Sequence, residues 1–477
     1  MPALPVMHWL REHSPDIAGY TLPMLITTPA GADAASIAAT LQTVLDHHPA
    51  LRLTLTRIAS VLWSLETTPA GTVRATDLLR TVDLTGTGDL RERIAAEFGA
   101  AVRRLDPDTG VMVQAVWFDG GPDVPGRLLL AVHHLAVDGV SWRILFEDLA
   151  AAWRGEPLEP VGTSLRTYAK AVAAQAQGPG RLTELTHWAR TLAPGADLVP
   201  GATVGGTARR RVTRLTSAET APLLTTVPAA VHADVTDVLL AALRIAVDSP
   251  ADLLVDVERH GREDLGERLD LSRTVGWFTS VQPVRLAPGA GASSSAASAA
   301  GAGLGASDGA GGGLSAGAGA RSRSGSGATV GVGSVAGWEV VKQVKERLRE
   351  APDGGLGHGL LRYLNAQVAP ILARMAAPQV LFNYFGRFPS ATGADWTPAP
   401  EADALDVVNG GIAPSHLLQV DAVCEETPDG PRLTVTWTWS DGGLSEEDVA
   451  ALGERWADAL RDLASDVTGT SGLTPRT

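Results

Sequence analysis

Chemically useful side chains gather where an apolar run ends. Leu128-Leu-Leu-Ala-Val132 is followed at once by His133 and His134, and then by Asp138, Gly139 and Ser141. Imidazole changes charge nearest neutral pH, which suits a base that must take and return a proton. A histidine pair at a strand end is also a common packed or metal-binding arrangement, and spacing alone leaves those readings open. A metal has the least support, because no further His, Cys or Glu set lies nearby at ligand spacing. Two more polar groups sit on or after apolar runs: Glu258 after Asp252–Val257, and Asn383-Tyr384 inside Val380–Phe388. Taken singly, Glu258 reads as a strand-end partner for Arg259 or Arg262, and Asn383 and Tyr384 as hydrogen-bonding core residues.

Periodicity identifies the elements that must hold these groups. The unbroken run at 128–132 predicts a strand buried on both faces. Successive strand residues point to opposite faces, so one histidine should face the protein and the other a cavity at the strand end. Asp138-Gly139 predicts a tight turn that uses the positive φ glycine tolerates. Apolar spacing near 3.6 in Arg143–Trp153 predicts a helix behind it. Asp138 is thereby expected to anchor the turn and not to act as a base. Further helices are expected over Ala34–His48, Leu90–Arg104, Ser164–Leu192, Thr236–Leu243, Trp338–Glu350 and Ser445–Leu463. Strands are expected over Leu51–Ile58, Val111–Phe118, Arg209–Leu215, Asp252–Val257, Val281–Leu286, Leu417–Cys424 and Leu433–Trp439. Arg52 is placed to partner a buried acid.

At 477 residues the chain exceeds an ordinary single core, which predicts two subdomains, 1–175 and 176–477. Residues 287–336 are almost entirely Gly, Ala and Ser. Such a stretch buries too little apolar surface to offset its ordering entropy, so a disordered insertion in the second subdomain is expected. The net charge of −14 leaves no broad basic footprint for nucleic acid. Cys424 is the sole cysteine, so no disulfide forms within the chain, and its strand-like setting reads as a small core residue. No signal peptide is evident, and no apolar run approaches the ~20 residues that span a bilayer. The expectation is a cytoplasmic, monomeric domain without membrane or nucleic-acid partners.

The wider pattern is more specific. His133-His134-x-x-x-Asp138-Gly139 resembles the active-site motif of the condensation-domain superfamily of nonribosomal peptide synthetases. The continuation Val140-Ser141-Trp142 resembles the epimerization branch, whereas bond-forming condensation domains usually run Asp-Gly-Trp-Ser. Pro5-x-x-His8-Trp9-Leu10, Glu258-Arg-His-Gly-Arg-Glu263, Arg273-Thr-Val-Gly-Trp-Phe-Thr279 and Phe382-Asn-Tyr-Phe-Gly386 resemble further motifs of that branch. His48-x-x-Leu-Arg52 resembles a signature of the superfamily. The matches keep their order from Pro5 to Phe388 and span the chain apart from the insertion. Departures are Arg259 in place of a glycine, Val281-Gln282 where a tyrosine often precedes the proline, His358 for a tyrosine and Phe385 for a leucine. A cation at 259 would depress the pKa of Glu258 if it pointed inward.

The resemblance implies an α/β fold of the α+β sandwich type: two chloramphenicol acetyltransferase-like subdomains in a V, with the active site at their interface. It implies L-to-D epimerization of an aminoacyl or peptidyl thioester. That reaction needs a base, an acid on the opposite face, and donors for the enolate oxygen. The resemblance assigns His134 and Glu258 as catalytic, with His133, Asp138, Asn383 and Tyr384 supporting. The substrate would be carried on the phosphopantetheine arm of a peptidyl carrier domain, alongside other synthetase modules. The protein would need no organic cofactor or metal of its own, because the thioester acidifies the α-proton. The alternatives are a condensation catalyst, and a non-catalytic recruiting module, whose relatives typically lose the histidine motif.

Overall fold

The computed structural model describes residues 1–477 apart from 15, 59–61, 85–88, 264, 266–268, 289–331, 389–392, 406–413 and 470–477. Nearly all of the Gly/Ala/Ser stretch expected at 287–336 therefore lies outside the described residues.

The first half contains strands β1 (Thr21–Thr27), β2 (Leu53–Ile58), β3 (Leu62–Thr67), β4 (Leu79–Asp83), β5 (Val113–Asp119) and β6 (Arg127–His133). Four of them form a sheet in the order β1-β6-β5-β4, and β2-β3 is a separate pair. Its helices include α1 (Pro5–His13), α2 (Ala34–His47), α3 (Leu90–Val102), α4 (Gly139–Trp153) and α5 (Leu165–Gln175). The apolar run of β6 is unbroken because each face meets a different core. Leu128, Leu130 and Val132 pack with Leu41 and Val44 of α2 and Leu145 and Leu149 of α4. Leu129 and Ala131 pack with Ile94 and Phe98 of α3. Each fully buried leucine contributes about 1.5–3 kcal/mol, so the strand carrying the histidines is firmly held.

The second half contains β7 (Ala208–Arg214), β8 (Leu253–Arg259), β9 (Ser280–Leu286), β10 (Val380–Phe388), β11 (Leu418–Thr427) and β12 (Gly430–Ser440), in the order β7-β12-β11-β10-β8-β9. Alternation divides this sheet cleanly. Val255, Val257, Val380, Phe382, Val420, Ala422, Val435 and Trp437 face a core built with α6 (Val235–Val247), α7 (Val332–Glu350) and α8 (Glu446–Gly469). By the period of two, Asp256, Glu258, Asn383, Gln419 and Asp421 stand on the other face.

Two stretches of the second half return to the first. Leu265, Leu271, Val275, Trp277 and Phe278 belong to the core beneath β6. Ala399 and Leu405 pack against Leu129, and Arg127 makes a 2.7 Å ion pair with Glu401. The junction between the halves therefore combines apolar packing with ion pairs. Among the described residues no helix is long and apolar enough to cross a membrane.

Several local expectations change. Gly139 does not use positive φ; Asp138 caps the helix and Gly139 is its first residue. Residues 164–192 are largely helical, as expected, with Gly178-Pro179-Gly180 ending α5 and starting a 3₁₀ turn at Pro179–Glu184. Among the described residues Arg52 forms no ion pair with a buried acid: its guanidinium donates to the carbonyls of Leu45, Asp46 and Thr68.

Candidate active site

The two histidines part company where β6 ends. His133 is the last strand residue and is fully buried. Its Nε2 donates to the Ile17 carbonyl at 2.8 Å, and its Nδ1 accepts from Leu135 N–H at 3.2 Å. Both nitrogens are used and the tautomer is set by these partners. Burial pulls its pKa down to about 4, so it is a neutral structural group. His134 begins a short 3₁₀ turn, which rotates it away from the strand's inner face. It is half-buried. Its ring stacks on Tyr20 at 4.8 Å between centroids and meets Trp277 at 4.7 Å. Its Nδ1 is buried without a hydrogen-bond partner among the described residues. Burial lowers its pKa, so the ring is held in its neutral, proton-accepting form.

Asp138 makes the contacts of an anchor. Its Oδ1 accepts from Ser141 N–H and Ser141 Oγ, both at 2.7 Å. Its Oδ2 accepts from Phe278 N–H at 3.2 Å, and Arg262 Nη2 reaches both oxygens at 3.0 and 3.2 Å. Arg262 also donates to the carbonyls of Leu271 and Thr274 and lies 4.1 Å from the Phe278 ring centroid. This node ties the histidine turn to the segment after β8. Gly261 makes the tie possible. It has φ +65°, and a Cβ there would sit 1.6 Å from the Phe278 carbonyl oxygen.

Glu258 is handled differently. Neither nearby arginine pairs with it, because Arg262 goes to Asp138 and Arg259 lies 3.7 Å from Glu263. Asn383 Nδ2 donates to Glu258 Oε2 at 2.8 Å. Burial, with the carboxyls of Asp421 and Asp256 nearby, pushes the Glu258 pKa up to about 8. The strand-end salt bridge expected from Glu258 taken alone is thus absent, and Arg259 does not depress its pKa. Asn383 and Tyr384 separate onto opposite faces. Asn383 is at the carboxyl, whereas Tyr384 packs against the helix-covered core, where burial pushes its hydroxyl up to about 12. The structure therefore brings Asn383 to Glu258 and leaves Tyr384 on the other side of the sheet.

Tyr20 links the two halves of the site. It stacks on His134, and its backbone carbonyl accepts from His134 N–H at 2.8 Å. Burial and the neighbouring carboxyls of Glu258 and Asp421 raise its pKa. Sequence reading missed Tyr20 because it belongs to no motif; the aromatic Trp277 was within a motif but had no assigned role. Elsewhere, His416 Nε2 meets Asp256 Oδ2 at 3.0 Å. His47, His48 and Asp148 place ligand-type atoms within 4.8 Å of one another. Asp148 already accepts from His48 Nε2 at 2.7 Å and from Arg273, whose guanidinium opposes a second cation.

A family model described as Condensation domain matches residues 6–300. One of the linear gramicidin synthase proteins of Brevibacillus parabrevis is 31% identical over 506 aligned residues, covering 100% of this chain and 6% of that protein. Bacitracin synthase 3 of Bacillus licheniformis is 27% identical over 457 residues, covering 93% of this chain and 6% of that protein. The chain thus spans a small part of the curated relatives it matches. Two solved structures share the fold. The epimerization domain from the third module of tyrocidine synthetase B has a TM-score of 0.75 at 24% identity, covering 98% of each chain. The X-domain from teicoplanin biosynthesis has a TM-score of 0.64 at 19% identity, covering 98% of this chain and 95% of that one.

Proposed function

This chain belongs to the condensation-domain family, and we propose that it is an epimerization domain of a nonribosomal peptide synthetase. It inverts the α-carbon of an aminoacyl or peptidyl group, L to D, while the group is held as a thioester on the phosphopantetheine arm of a carrier domain. The observation that carries this reading is Glu258: a half-buried carboxyl without a cation partner among the described residues, oriented by Asn383 and close enough to act on Tyr20, which stacks on His134.

Inversion needs a group that accepts a proton and one that gives a proton, on opposite faces. At neutral pH His134 is uncharged and Glu258, with a pKa of about 8, is protonated. His134 takes the α-proton, and the C–H electron pair moves into the thioester carbonyl as an enolate. Glu258 then gives its proton to the other face of the α-carbon, leaving a carboxylate and an imidazolium. The aromatic faces of Tyr20 and Trp277 lie against the imidazolium and stabilise it. Asp138 and Arg262 keep the histidine turn in register with the segment after β8. The thioester itself acidifies the α-proton, so the reaction calls for no organic cofactor or metal of the protein's own. The carrier domain and neighbouring modules are the partners.

The test is to load carrier domains with L- or D-aminoacyl and dipeptidyl groups, add the protein, release the acyl group and separate enantiomers. Convergence of L and D starting materials on one mixture is expected. An amide or ester formed between two loaded carriers, without inversion, would assign a condensation catalyst. Neither product would assign a recruiting module.

A further inference from the structure

The polar face of the second sheet carries a row of three groups, of which Asp421 belongs to no motif. Asn383 of β10 is the aligned partner of Asp421 of β11. On its other side β10 pairs with β8, which carries Glu258. Glu258, Asn383 and Asp421 therefore cross three adjacent strands on one face, with Asn383 in the middle and donating to Glu258. Asp421 Oδ2 accepts from Gln419 Nε2 at 2.8 Å. Asp421 Oδ1 is buried and has no hydrogen-bond partner among the described residues. A buried carboxylate oxygen without a donor is costly, and a bound proton removes that cost.

We propose that Asp421 is a positioning residue for Glu258: the two carboxyls flank Asn383, and the buried Asp421 disfavours charge on Glu258, which keeps Glu258 supplied as the proton donor. This rests on the reading of Glu258 as that donor. Other charged groups on this face do not replace the pairing. Asp256 is engaged by His416, Arg259 by Glu263 and Arg262 by Asp138. Tyr20 and His134, from the first half, are both held neutral. Arg210, on edge strand β7, is the cation acting on Asp421, and it opposes the burial that raises that group to about 7. Two interacting carboxyls titrate as a pair, so each sets the other's midpoint.

The experiment is a carboxyl titration by ¹³C NMR of the whole protein, comparing wild type, Asp421→Asn and Glu258→Gln. Asp421→Asn should lower the Glu258 midpoint by about one pH unit or more. Glu258→Gln should lower the Asp421 midpoint by the same amount, because coupling between two sites is reciprocal. If either variant fails to fold, the other still reads the coupling. Unmoved midpoints would overturn the proposal. The titration needs no turnover, so a protein that inverts no thioester would defeat the functional reading and leave this result standing. In an active protein, the limb of the pH–rate profile set by Glu258 should move down with Asp421→Asn; an unmoved limb would also overturn the proposal.

Discussion

Asp138 and Glu258 both lie next to the junction of the halves, yet one is saturated with donors and the other is not. Asp138 accepts from two backbone N–H groups, a hydroxyl and a guanidinium. Among the described residues Glu258 accepts from one amide and pairs with no cation. The difference comes from where the arginines of Glu258-Arg-His-Gly-Arg-Glu263 go: Gly261 sends Arg262 across to Asp138, and Arg259 turns to Glu263. A motif that reads as a salt-bridge cluster thus exports its cations and leaves one acid able to keep a proton. Pairing ties Asp138 into the junction, and the donor role proposed for Glu258 rests on its lack of such pairing.

The comparison breaks most severely at the anchor. Asp138→Ala or Arg262→Ala leaves one charge buried and unpaired, which costs about 3–5 kcal/mol. Chemical denaturation should show that loss, with activity falling alongside it. The reactive partner should behave oppositely. Glu258→Gln keeps the size and the contact with Asn383, so the melting temperature should hold or rise at neutral pH while inversion falls by about 10²–10⁴-fold. His134→Ala should match that loss of inversion, whereas His133→Ala should cost stability, about 2–3 kcal/mol, by stranding the Ile17 carbonyl.

The pH dependence of stability sharpens the contrast. Unfolded, Glu258 ionises near its ordinary 4.5, whereas folded it holds its proton to about 8. Between those values the folded state binds more protons, so stability falls as pH rises, by at most ~1.4 kcal/mol per pH unit. Asp421 adds the same sign between 3.8 and about 7. Glu258→Gln should flatten the stability curve from pH 5 to 8; an unchanged slope would mean that Glu258 ionises normally. Smaller effects belong to the aromatic groups. Tyr20→Leu should lower turnover about tenfold by removing the face on which His134 stacks. Tyr384→Phe, on the far face, should change turnover less than about twofold.

Much of this was legible in the residues. The run 128–132 and the separate fates of His133 and His134 follow from alternation and burial, whereas Asp138, expected to anchor a turn, instead caps the helix. The end of β8 marked Glu258 in the same way, and a motif marked Asn383. Strands β1, β3 and β4 escaped notice; Pro23 within β1 argues against a strand unless it lies at an edge, where β1 does lie. Tyr20 and Asp421 escaped because their significance lies in pairing across elements far apart in sequence. Tyr384 was grouped with Asn383 by adjacency, although adjacent strand residues face opposite ways. The destination of Arg259 and Arg262 depends on the positive φ of Gly261, which sequence spacing does not encode.

The central claim is that His134 and Glu258 serve opposite faces of one α-carbon, and isotope exchange tests it most directly. Carrier-bound L- and D-aminoacyl thioesters are incubated in D₂O with wild type, His134→Ala and Glu258→Gln, then released, resolved by enantiomer and weighed by mass spectrometry. The account predicts inverted product with one α-deuterium from wild type, and inversion reduced at least about 100-fold in each variant with the fold intact. A single variant that still exchanges the α-proton with retention would assign the face its remaining group serves. Inversion by Glu258→Gln at the wild-type rate would contradict the account.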